Sequence, residues 1–64
     1  MRLTDFWERM EQTFGPAYAR SWADDQHLAA LDGRTVSQAL AEGVDTKDVW
    51  SAVCAHAQVP SELR

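Results

Sequence analysis

Three tryptophans, one cysteine, two histidines and ten carboxylates are the side chains of this 64-residue sequence with chemistry to offer. Cys54 and His56, completed by His27 and a carboxylate, supply the residue types of a four-ligand zinc site. Their spacing argues against it, because helical positions i and i+2 diverge by about 200° and do not face one ion. A lone cysteine on an apolar stripe is a small core residue. A Cys–His nucleophile would need an oxyanion hole and a substrate pocket, which so short a chain does not enclose. No catalytic, cofactor-binding or metal-binding residue is therefore assigned, and the expectation is a protein that is not an enzyme. Asp25 and His27 lie near an inferred apolar face as a candidate hydrogen-bonding pair, but Asp25 capping a turn at Leu28 accounts for that position more simply.

A 64-residue domain has difficulty hiding Trp7, Trp22 and Trp50 completely, and exposed aromatic area marks interfaces. Either all three meet in one small core, or a partner or second copy covers what is left over. Charge adds a second indication. Six Lys and Arg stand against ten Asp and Glu, a net charge of −4. The whole excess lies after residue 20, where Asp24, Asp25, Asp32, Glu42, Asp45, Asp48 and Glu62 outnumber Arg34, Lys47 and Arg64. That balance disfavours unaided binding to nucleic acid or anionic lipid and suits an acidic face that receives a basic protein partner. The candidate interaction surface is therefore Trp7, Trp22, Trp50, Asp45 and Asp48, with an unidentified protein as partner and no cofactor.

Helices must position these residues. Leu3, Phe6, Trp7, Met10 and Phe14 recur at i, i+3, i+4, i+7 and i+11 and predict an amphipathic helix, capped at Thr4 or Asp5 and ended by Gly15-Pro16. Pro16 opens a second helix of about 16–25 with Tyr18 and Trp22 on one face. Residues 26–33 read as a short helical turn that keeps Leu28 and Leu31 for the core. Thr35-Val-Ser-Gln38 has the capping-box pattern and starts a third helix that ends at Gly43, with Val44 as its apolar contact. Asp45 caps a fourth helix of about 46–57, striped by Val49, Trp50, Val53, Cys54 and Ala57, and Val59-Pro60 closes it. No segment alternates at period two, so the fold class is all-α: one domain over 1–64, a bundle of three to four short helices with a helix-turn-helix-like C-terminal half.

That half has the outline of a DNA reader, helix, glycine turn and helix. Its would-be recognition helix, however, offers Lys47 as the sole cation between Asp45 and Asp48, where groove entry needs basic residues against phosphates. A nucleic-acid-associated regulator built on residues 35–57 is the alternative to the interaction module. Leu, Ile, Val and Phe make up only 12 of the 64 residues, near the level where disorder sets in. The Trp, Tyr and Met side chains offset this shortage and point to a folded domain of modest stability. With one cysteine, no signal-peptide-like apolar stretch and no run of about 18 apolar residues, the expected compartment is the cytoplasm, away from any membrane.

Five groups of residues in one order carry a resemblance. They are Met1-Arg-Leu-Thr-Asp-Phe-Trp-Glu-Arg-Met10; Phe14-Gly15 with Tyr18; Asp32-Gly-Arg-Thr35 with Ala39-Leu40 and Gly43; Lys47-Asp-Val-Trp50 with Ala52-Val-Cys54; and Val59-Pro60. With these the chain resembles, nearly end to end, a family of short actinobacterial proteins termed domain of unknown function 3046. The resemblance implies an all-α cytoplasmic protein. It assigns no activity, ligand or catalytic residue. Members are often encoded near the recombinase that loads onto single-stranded DNA, which implies a link to DNA repair. At Asp25-Gln26-His27-Leu28 the chain departs from the family's Asp-His-Val-Leu.

Overall fold

The computed structural model describes residues 1–58, so the expected stop at Val59-Pro60 lies outside the described residues. Among these residues are the helices α1 (Leu3–Phe14), α2 (Ala19–Asp25), α3 (Val36–Ala41) and α4 (Thr46–Ala57). They form a small helical bundle. It also holds an element the sequence does not announce, an antiparallel pair of two-residue strands, β1 (His27–Leu28) and β2 (Arg34–Thr35), in which His27 lies opposite Thr35 and Leu28 opposite Arg34. Strands this short have no room for a period-two pattern.

Helix α1 begins before the expected cap. Arg2 holds the N-cap position without a side-chain hydrogen bond, and Asp5 falls in the first turn, where a negative charge meets the positive end of the helix dipole. The helix stops at Gly15, whose N–H donates to the Glu11 carbonyl at 2.8 Å. The Gly15 carbonyl then accepts from both Tyr18 and Ala19, at 3.2 and 3.0 Å. Residues 16–18 are thereby held as a turn, and α2 starts at Ala19 rather than Pro16. Tyr18 stands at the N-cap and is 54% exposed, whereas Trp22 one turn on is buried.

The connection between the strands contains a 3₁₀ turn, Ala29–Leu31, whose N-cap Leu28 has no side-chain cap. Asp25 does not fill the capping role expected of it. The hairpin closes instead through Asp32 and Gly33, which adopt φ of 58° and 83°, and through the Gly33 N–H bonded to the Leu28 carbonyl at 3.0 Å. Left-handed geometry costs a β-carbon-bearing residue about 1–2 kcal/mol, and Asp and Gly are residues that adopt it. His27 Nδ1 lies 2.9 Å from the Gly33 carbonyl. A carbonyl only accepts, so Nδ1 carries the proton in this bond.

The capping box at α3 forms as its sequence requires. Gln38 N–H donates to Thr35 Oγ1, and Thr35 N–H donates to Gln38 Oε1, both at 3.1 Å. The helix ends in a Schellman pair: Gly43 N–H reaches the Leu40 carbonyl at 3.2 Å and Val44 N–H the Ala39 carbonyl at 3.0 Å, with Gly43 at φ 89°. Asp45 Oδ1 accepts from Lys47 N–H at 2.9 Å and caps α4. The hydroxyl of Thr46 donates to the Met1 carbonyl at 2.6 Å, tying the start of the chain to the start of α4.

Phe6 and Met10 of α1, Trp22 of α2, Val36 of α3 and Val49 and Val53 of α4 converge in the core with Leu28 and Leu31. The two sequence stripes meet at Phe6 and Trp50, edge to face at 6.1 Å and 89°. Phe14 stacks on Trp22 at 4.3 Å. Each fully buried large apolar side chain contributes about 1.5–3 kcal/mol. Among the described residues no helix is long and apolar enough to cross a membrane.

Candidate functional site

The stripe of α1 is wider than the core it faces. Phe6 and Met10 are fully buried, but Leu3 is 53% exposed and Trp7 only partly covered. Leu3, Trp7 and Glu11 stand four residues apart in one row of the helix, with Thr4 and Glu8 in the next. The turn at 16–18 folds α2 beside this row and brings Arg20 to it. The result is a groove of about 450 Å³ lined by Leu3, Thr4, Trp7, Glu8, Glu11 and Arg20.

Two contacts hold the Trp7 indole. Phe6 meets it edge to face at 5.3 Å and 81°, and the Arg20 guanidinium carbon lies 3.9 Å from its ring centroid. A cation over an exposed indole is worth about 0.5–1 kcal/mol. Glu8 and Glu11 are exposed. Among the described residues the ion pairs are those of Arg34 with Asp32 and Glu42, so Arg20 forms an ion pair with neither groove carboxylate.

The other expected surface residues divide. Trp22, at 8% exposure, and Trp50, at 4%, belong to the core and are removed from the candidate surface. Trp22 lies against Phe14 and His56, and Trp50 against Phe6, because the short α2 and the inner face of α4 are both closed by α1. Asp45 is exposed and its carboxylate caps α4. Asp48 is exposed and lines a second depression of about 460 Å³ with Leu31, Arg34, Ser51 and Ala52. There the Arg34 guanidinium is held by Glu42 at 2.8 Å and the Leu31 carbonyl at 3.2 Å, and Ala30 and Val44 complete the apolar lining.

Cys54 is buried, while His56 faces outward with its ring edge on Trp22 and His27 belongs to the hairpin. The three are not brought together, and the described residues contain no group of three or more potential metal ligands. Helices α3 and α4 do follow one another across a four-residue connection, 42–45. The solvent side of α4 presents Asp45, Lys47, Asp48, Ser51, Ala55 and His56.

Of the groove residues, sequence reasoning assigned Trp7 alone to a surface; it did not assign Leu3, Thr4, Glu8 or Glu11, and it missed Arg20. Its contact with Trp7 depends on the path of the turn between α1 and α2, for which helical periodicity carries no signal.

Residues 1–62 match the family described as protein of unknown function (DUF3046), and with nearly the whole chain covered, the chain belongs to that family. No curated protein and no solved structure matches it.

Proposed function

We propose that this DUF3046 protein is a non-enzymatic interaction module that docks another protein on the outward side of α1, at Trp7. One observation carries the reading: the apolar stripe of α1 runs past the core and leaves Leu3 and Trp7 beside an open groove. A tryptophan fixed by a neighbouring ring is the kind of anchor that dominates binding energy in protein interfaces. The Asp48 depression is less suited, since its arginine is already occupied by internal partners. The link to DNA repair implied by the family resemblance would run through such a protein partner.

Photocrosslinking tests this. A photoreactive residue at Leu3 should give a discrete adduct in the native cell that the same residue at Asp25 does not. The purified partner should then bind the parent chain and lose about tenfold in affinity to Leu3→Glu. Identical adducts from both positions, or none from position 3, would contradict the proposal. The nucleic-acid reading of residues 35–57 finds less support, with Lys47 flanked by Asp45 and Asp48 on the outer side of α4. Binding of duplex or single-stranded DNA at about 50 mM salt, abolished by Lys47→Glu, would restore it.

A further inference from the structure

The charge pattern of the groove says more about its occupant, and we infer that the partner presents a helical segment that lays an apolar side chain across Leu3 and Trp7 and delivers a lysine or arginine to Glu8 and Glu11. This rests on α1 being the docking face. Arg20 lies over the Trp7 ring at 3.9 Å, so the groove already holds one cation against its aromatic wall. That cation is held by the ring and forms an ion pair with neither Glu8 nor Glu11. The two glutamates stand at i and i+3 of one helix, where like charges repel by a few tenths of a kcal/mol. An incoming cation would relieve that repulsion, and an incoming carboxylate would add to it.

Geometry sets the spacing. Leu3 to Glu11 spans eight residues of α1, about 12 Å or two helical turns. The apolar end at Leu3 and Trp7 and the acidic end at Glu8 and Glu11 are about 7 Å apart along the axis. A partner helix comes near that separation, at about 6 Å along its own axis, when its apolar and basic residues are four positions apart on one face.

The test uses the full chain, ¹⁵N-labelled, titrated with a helical peptide carrying leucine and lysine at i and i+4 and with the same peptide in which glutamate replaces lysine. The lysine peptide is expected to shift the amides of Leu3, Thr4, Trp7, Glu8 and Glu11, and the glutamate peptide to leave them in place. Glu8→Gln with Glu11→Gln should weaken the lysine peptide about three- to tenfold. Asp32→Asn with Asp48→Asn, the same change in net charge elsewhere, should alter it less than about twofold. Equal shifts with both peptides, shifts centred on another face, no binding of either peptide, or an equal loss in the Asp32/Asp48 variant would overturn the inference. A retained position-3 adduct alongside any of these results overturns the basic partner alone, whereas loss of the adduct overturns the docking face itself.

Discussion

The indole nitrogen of Trp50 is fully buried, and among the described residues it has no hydrogen-bond acceptor. Trp50 therefore acts through buried area and its edge-to-face contact with Phe6, not through its polar atom. Truncating a buried aromatic costs about 3–5 kcal/mol, which is about the whole stability of a domain this small. Trp50→Ala should consequently lack helical circular dichroism at 25 °C. Trp50→Phe keeps a ring and loses no hydrogen bond, so it should remain folded, with a urea-derived loss of about 1–2 kcal/mol. Equal damage from both variants would mean that the nitrogen has an essential partner. At this scale the sequence named the tryptophans but did not sort them. Trp7, Trp22 and Trp50 all lie on helical apolar stripes. What separates Trp7 from the others is packing between helices, which the stripes do not encode: Trp22 and Trp50 are buried, while Trp7 is partly covered, against Phe6 and Arg20.

Among the elements, those written in local code were the readable ones. The Thr35–Gln38 capping box, the Gly43 Schellman end and the Asp45 cap each need only a few consecutive residues, and each forms where the sequence places it. The strands rest on the pairing of Leu28 with Arg34, and the late start of α2 on a turn in which the Gly15 carbonyl accepts from Tyr18 and Ala19; neither carries a residue pattern as distinctive as a capping box. Thr35 has particular weight, since its buried side chain caps α3 while its backbone belongs to β2. Loss of an N-cap costs about 1 kcal/mol. Thr35→Ala should lower stability by that amount in urea denaturation, and Thr35→Ser, which keeps the oxygen, should recover most of it. A serine variant as weak as the alanine variant would show that the methyl packing, and not the cap, stabilises this junction.

For the molecule as a whole, short helices are joined through aromatic pairs: Phe6 with Trp50 across α1 and α4, Phe14 with Trp22 across α1 and α2. Helix α1 takes part in both, and the part of its apolar stripe left uncovered is the groove at Trp7. Hydroxyl-radical footprinting of the chain alone and of its complex isolated from cells reads that division directly, because tryptophan oxidation follows solvent access. Trp7 should be oxidised in the free protein and protected in the complex, with Trp22 and Trp50 slow in both. A complex that forms while Trp7 oxidises at its free rate would show that the partner sits elsewhere and would contradict the account.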